Sequence, residues 1–488
     1  MKHSRHIVLI LTILLFITGL FLRIYEFEGF TTYLSDQGRD AIIVKQIVTF
    51  EHLPAIGAPS SVGQVYLGPF YYYLIAPFLP LFDFNPIGLS YASLFYSLVG
   101  MALVYYVLKK DHGVLVAFTT LFIMVFSVTL ISFARFSWNP NLLPYFGFFT
   151  LYFFHSWLEK KTLWHGIAFG SIFGLAIQLH YLAVFLGIPM LLMYGWRLYA
   201  SQNKIKSLVQ LIPAIGAFLM FISPLILFDI RHDGINAKQF IHLVADGGLS
   251  SGQPYIARLM ETIVGLTNHG LQIEASSLLS LLLLGGIVIG GLWYAYRLQS
   301  RFALLHILNI LTYTLGFAYL GNPRFAHYYG QIYISLFFII SFIIVSQKNN
   351  TIRNASFALF FIVFLVFNIP RYHFFFQTPN HQITHAKTVA MELKKHIGNK
   401  PYNIATWPVD MGEDMYTYFL EVDDMGPADR AQLEITDQML VLCSQEPCMV
   451  THSPSWNISM FGPAHIIDQW EVENITVYKL EHNTANSL

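Results

Sequence analysis

LSDQGRDA, residues 34–41, places Asp36, Arg39 and Asp40 a short way beyond an apolar run, 7–22. Each charge costs about 2.5–3.5 kcal/mol at the centre of a membrane helix on insertion scales. Three of them so close to a hydrocarbon-compatible segment mark a membrane face, and the fold follows from what lies on either side.

The surroundings are strongly apolar. Of 488 residues 55% are hydrophobic, 16% aromatic and only 11% charged, with a mean hydropathy of +0.52; soluble domains carry about 25% charged residues. The composition is that of an integral membrane protein. Lys plus Arg equals Asp plus Glu at 28 each, which gives no reason to expect a nucleic-acid partner, and no Gly-rich nucleotide-phosphate loop is present.

The run 7–22 follows Lys2 and Arg5 without a small-residue cleavage site, so an uncleaved first span is expected. Further runs long enough for the ~30 Å of bilayer hydrocarbon lie near 86–107, 113–133, 141–158, 163–180, 181–197, 207–228, 277–296, 302–320, 329–347 and 354–370. An α-helical polytopic protein with about 11 transmembrane helices is therefore expected. Short-loop basic residues orient it: Lys109 and Lys110, Lys160 and Lys161, Arg197 with Lys204 and Lys206, Arg297 and Arg301, and Lys348 and Arg353 alternate with sparser segments. With Lys2 and Arg5 they place the N-terminus in the cytoplasm. Segments 23–85 and 229–276, and all that follows about 371, then face outward from a cell (inner or plasma) membrane.

The expected organisation is a multi-span domain, 1–370, with an outer catalytic loop at 23–85, and a small outward-facing α/β domain at 371–488. Within the loop, 36–50 has apolar Ala41, Ile42, Ile43, Val44, Ile47 and Val48, suited to a helix in the membrane interface. Pro54, Gly57, Pro59, Ser60, Ser61 and Gly63 then predict turns, and "YLGPFYYYLIAPFLPLF", 66–82, an aromatic belt. In the last domain "HQITHAKTVAMELKKHIG" predicts an amphipathic helix, and 403–406, 439–442 and 474–479 predict strands. Cys443 and Cys448, the only cysteines, either close a small disulfide loop in an oxidising exterior or stay free. With no histidines beside them a zinc site is not expected.

Five chain segments bring polar groups to the predicted outer face: Asp36, Arg39 and Asp40; Arg135, Trp138 and Asn139; His180; Arg231, His232 and Asp233; and Arg324, His327 and Tyr328. Each has a plain alternative, since Asp36 would also cap a helix and an arginine would also anchor one to headgroups. Taken together, guanidinium groups suit a lipid-anchored phosphate, which they bind bidentately, and a carboxylate beside them suits removal of a proton from a hydroxyl. A polyprenyl-phosphate sugar calls for both.

The order of a first span, an outer loop with Asp36-Gln37-Gly38-Arg39, a turn-rich stretch, Tyr66-Leu67-Gly68-Pro69, a basic-ended second span and "ARFSWNPNLL" around Arg135 and Asn139-Pro140 resembles the glycosyltransferase C superfamily, in its protein O-mannosyltransferase-like and aminoarabinose transferase-like branch, family 39. The resemblance implies a GT-C fold and an inverting membrane glycosyltransferase. Such an enzyme moves a hexose or pentose from a polyprenyl-phosphate donor to a glycan, lipid or protein acceptor. It implies Asp36 as the general base, and the polar residues gathered at the outer face, Arg39, Asp40, Arg135, His180, Arg231, Arg324, His327 and Tyr328, are then expected about the substrates. Gln37, Gly68 and Asn139 stand where family members commonly carry carboxylates, so no metal cofactor is expected to be required. The other classes compatible with the residues are a lipid-linked sugar flippase, which would place polar groups along a midplane pathway, and a non-catalytic polysaccharide-assembly subunit.

Overall fold

The computed structural model describes residues 2–60, 65–246, 252–321, 323–428 and 432–483. Ser61 and Gly63 of the predicted turn-rich loop, and the side chains of Lys2 and Arg5, lie outside the described residues. All the apolar runs form helices. Among the described residues eight are long and apolar enough to cross a bilayer, or nine counting a bent pair as one span, against the eleven predicted. The two that fall short have physical reasons. Leu163–Leu179 has 17 residues, about 26 Å at 1.5 Å per residue. Leu143–Lys160 is diluted by Tyr145, Tyr152, His155, Glu159 and Lys160.

Helix Gly330–Val345 is apolar all round and buried almost throughout, as a central helix must be. Leu143–Lys160, Arg301–Tyr319, Val114–Phe126 and Ser277–Arg297 pack around it. His6–Ile24, Lys204–Arg231 and Asn350–Arg371 lie at the periphery and expose Leu9, Ile13, Met220, Leu359 and Ile362, the surface that lipid would cover.

Two breaks shape the bundle. The predicted span 113–133 is cut at Ser127, between Val114–Phe126 and Val128–Ala134, with a 67° bend. Ser127 caps the second helix by accepting from Leu130 N. A helix broken in lipid must satisfy its freed backbone groups within the protein: Arg23 donates to Met124 O (3.0 Å) and Val125 O (3.3 Å), and Val128 N donates to Asn368 Oδ1 (3.0 Å). The second break falls at His180. Its extended backbone ends Leu163–Leu179, and its Nδ1 accepts from Leu182 N at the start of Tyr181–Leu186.

The predicted interfacial helix forms as Ser35–Val48, but its apolar face meets protein. Ala41, Val44 and Ile47 are buried against Tyr71, Tyr72, Ile75, Leu79 and Tyr418. The aromatic block, forming Phe70–Ile75 and Phe78–Leu81, is thus partly core: Tyr71 bonds to the hydroxyls of Ser93 and Ser137.

The C-terminal region is a four-stranded sheet, β1 (Tyr402–Trp407), β2 (Gln438–Cys443), β3 (Ala464–Val472) and β4 (Ile475–His482), in the order β1-β2-β4-β3. β1 and β2 are parallel and the other pairs antiparallel. The parallel pair is joined through helix Asp414–Val422, the crossover such a pair requires. Helix Gln382–Ile397 forms where predicted, and Cys443 and Cys448 are disulfide-bonded. β3, which was not predicted, is a largely exposed edge strand carrying Asp468 and Glu471, charges of the kind that blunt sheet edges and obscure a strand pattern.

Candidate active site

A crevice of about 590 Å³ opens beside the N-terminal turn of helix Ser35–Val48. Asp36, Arg39, Tyr66, Trp138, Asn139, Pro140, His180, Gln239, His327 and Tyr328 are among its lining. Four of the five polar segments read from the sequence therefore meet in one place.

Its charged corner is built by helical spacing. Asp36 and Arg39, three residues apart, share a helix face, and Arg39 Nη1 lies 2.8 Å from Asp36 Oδ1. On its other edge Arg39 gives Nε (3.1 Å) and Nη2 (2.8 Å) to Asp40 Oδ1, which also accepts from Tyr72 OH at 3.2 Å. The two carboxylates are not equivalent: the Asp36 side chain is 52% exposed and that of Asp40 2%. Burial pushes the Asp40 carboxyl above its usual range, with Arg39 pulling the other way. Burial also works against the Arg39 charge, but Asp40, then Tyr72 and Asp36, outweigh it and hold the guanidinium protonated. Arg39 is thus fixed from below by a buried acid and presents an accessible acid, Asp36, to the crevice.

The neutral residues at positions where an acid is common have local causes. Gln37 is buried; its Oε1 accepts from Leu34 N (3.0 Å) and its Nε2 donates to Ser137 O (3.2 Å). Asn139, also buried, donates Nδ2 to Leu179 O (2.6 Å). Both face backbone carbonyls, to which an ionised carboxylate has nothing to donate.

The opposite wall is aromatic. His180 packs on Tyr181 (4.7 Å between ring centroids) and lies 6.0 Å from His327 and 5.7 Å from Tyr328. His327 meets Trp138 edge-on at 4.5 Å. Such a wall suits the apolar face of a sugar ring or the head of a prenyl chain.

Three arginines expected at the phosphate are not brought into the crevice. Arg135, 2% exposed, donates to the carbonyls of Leu22, Arg23, Tyr25 and Glu26 and lies 4.5 Å over the Phe374 ring. It caps the end of the first helix with both Nη groups, and its remaining donor, Nε, is buried away from the crevice. Arg231 is exposed at the end of Ile212–Arg231 and does not line the crevice; from its neighbourhood Ile235 and Gln239 do. Arg324 donates to Leu320 O (3.0 Å) and stacks on Phe317 (4.5 Å), also outside the lining. Tyr72, read from the sequence as belt or as a face for stacking on a sugar, instead joins the site through its bond to Asp40; no spacing signals a bond between residues 32 positions apart. Among the described residues no three His, Cys, Asp or Glu side chains gather as a metal-ligand set.

Residues 67–228 match the family model of dolichyl-phosphate-mannose-protein mannosyltransferases. The fold matches ArnT from Cupriavidus metallidurans bound to undecaprenyl phosphate, with a TM-score of 0.63, 12% identity and 98% of each chain covered. The apo form of that protein matches with a TM-score of 0.59 at 12% identity, again over 98% of each chain. An oligosaccharyltransferase from Archaeoglobus fulgidus in complex with Zn and sulfate matches with a TM-score of 0.53 and 13% identity, over 88% of this chain and 67% of that one. No curated protein is matched.

Proposed function

We propose that this multi-pass membrane chain, whose fold matches ArnT and whose residues 67–228 match a mannosyltransferase family model, is an inverting glycosyltransferase of the glycosyltransferase C superfamily. It takes a sugar from a polyprenyl-phosphate donor and passes it to a glycan, lipid or protein acceptor at the outer face of the membrane. The observation that carries this reading is the corner of the crevice where an accessible carboxylate, Asp36, is paired with Arg39, which the buried Asp40 holds from behind.

The chemistry balances on these residues. The acceptor hydroxyl attacks the anomeric carbon as the bond from that carbon to the phosphate oxygen breaks, and its proton passes to Asp36. The lipid phosphate leaves with the bonding electron pair. One displacement with no covalent intermediate inverts the anomeric centre. Arg39 is the guanidinium in the crevice able to meet the leaving phosphate, and His180, His327 and Tyr328 line the wall beside it. No metal-dependent step is needed: phosphate charge meets Arg39, and the proton has an acceptor in Asp36.

The outer-face assignment rests on charge. Lys160 and Arg301, at helix ends, both line a second cavity of about 990 Å³, which shares no lining residue with the crevice. By the positive-inside rule that end is cytoplasmic. The test is to incubate the purified protein with a panel of lipid-phosphate sugars and follow sugar release and transfer. Transfer from at least one donor is expected. Translocation of a lipid-linked sugar across vesicles without transfer would favour the flippase reading instead.

A further inference from the structure

At the N-cap of helix Ser35–Val48, Leu34 has no polar side chain to offer the first turn, and the local side-chain cap is Gln37 Oε1 accepting from Leu34 N. Yet that turn carries Asp36. What holds it comes largely from the C-terminal sheet domain. Ser35 Oγ donates to Asp414 Oδ2 at 2.9 Å, Tyr33 N donates to Gln382 Oε1 at 2.7 Å, and Lys45 lies 3.8 Å from Glu421. From the other side Tyr418 OH donates to Phe84 O at 2.6 Å.

The backbones approach most closely beside the carboxylate. A Cβ added to Gly38 would collide with Met415 N and the carbonyl of Asp414, and one added to Gly412, which has φ +66°, would collide with the Ser35 side chain. Both collisions at Gly38 are with main chain, which has no rotamer by which to retreat. Ser35 and Gly38 are three residues apart and share the helix face turned to the domain. Asp36 and Arg39, one residue further on, share the face turned to the crevice.

We infer that residues 412–415 of the C-terminal domain form a backbone clamp on residues 35–38 that positions Asp36 at the crevice, so that this domain sets the geometry of transfer. Asp414 and Gly38 are positioning residues in this scheme, which rests on the role proposed above for Asp36. Docking here is what the sequence selects for: in an unpacked helix alanine is the better helix former than glycine at position 38, and only the clamp makes it the worse choice.

The experiment measures hydrogen exchange at amides 35–41, affinity for undecaprenyl phosphate, and transfer from whichever panel donor is used, in Gly38→Ala, Asp414→Ala and Asp414→Asn. Gly38→Ala should speed exchange at 35–41 by on the order of tenfold and lower kcat by about a hundredfold, the scale of a misplaced catalytic group. Undecaprenyl phosphate affinity should also fall, because Arg39 sits on the displaced turn, but by less than kcat, because the aromatic wall is untouched. Asp414→Ala should move exchange and kcat the same way to a lesser degree, and Asp414→Asn, which keeps an acceptor oxygen for Ser35, should restore both. Slow exchange and unchanged kcat in Gly38→Ala would overturn the clamp. If that variant does not fold, wild-type exchange and kcat in Asp414→Ala overturn it equally. A wild-type protein that transfers no sugar would remove the enzymatic reading instead, and the exchange data would still decide whether the clamp exists.

Discussion

At Asp36, Arg39 and Asp40 the chain solves a specific problem: keeping one carboxylate accessible while a neighbouring guanidinium stays charged and fixed. The division of labour comes from burial, since Asp40 is enclosed with Tyr72 and Asp36 opens to the crevice. That these charges begin a helix in the outer loop was legible in the sequence. Which acid would be buried was not, because that depends on a tyrosine far along the chain. Asp36→Asn keeps the shape and one acceptor oxygen, and the exposed ion pair it removes contributes little to stability. Purified Asp36→Asn should bind undecaprenyl phosphate like the wild type and transfer sugar at least about 10²-fold more slowly; a near wild-type turnover number would exclude Asp36 as the base. Arg135 shows the limit of reading residue types alone. It was expected at a phosphate and is instead bonded to four carbonyls around the end of the first helix. Truncation would leave those carbonyls unmet where water is scarce, at about 1–3 kcal/mol for a buried group left unpaired. Arg135→Ala should therefore melt earlier in detergent, while the folded fraction keeps its donor affinity. A weakened donor titration at unchanged melting temperature would return Arg135 to the binding site.

The same contrast holds for whole elements. The long apolar runs announced helices, and the helix Gln382–Ile397 with strands β1, β2 and β4 followed from periodicity. The edge strand β3 did not, because its outward side chains include charges that suppress the alternating pattern. Nor did the break at Ser127, since Val114–Phe126 and Val128–Ala134 read as one uninterrupted apolar segment. That break is stable because distant polar groups complete it: Arg23 for the carbonyls of Met124 and Val125, and Asn368 for Val128 N. Asn368 also donates to Phe364 O at 2.8 Å and Leu271 O at 3.4 Å, and is fully buried. Replacing it by an apolar residue of similar size deprives Val128 N of its acceptor. Asn368→Leu should lose stability on the order of 1–3 kcal/mol, measured as a lower unfolding midpoint in a mild detergent, with kcat in the surviving protein within about twofold because the break lies away from the crevice. An undiminished midpoint would mean that the bend is held by packing alone.

For the molecule as a whole, the open question from sequence was how many times the chain crosses the membrane, and the helices differ enough in length and polarity that counting them is a poor guide to sidedness. The packing offers a route that avoids the count. The first span, His6–Ile24, leads within a few residues to Tyr33 and the crevice helix, so the N-terminus lies at the far end of that span from the crevice. The sheet domain lies at the crevice end, joined there by Tyr33 to Gln382, Ser35 to Asp414 and Tyr418 to Phe84. With His6–Ile24 as a span, the N-terminus and the C-terminal domain are expected on opposite sides, whichever marginal helices are spans. By the positive-inside rule, Lys109, Lys160 and Arg301, at helix ends distant in sequence, predict that the N-terminal side is the cytoplasmic one. A reporter active only outside the cytoplasm, fused after Leu488, should be active, and the same reporter fused ahead of Met1 should be silent. Activity at both ends, or at neither, would contradict the packing of the sheet domain on the crevice helix. A reversed pair would leave that packing intact but turn the crevice toward the cytoplasm, and with it the proposed site of sugar transfer.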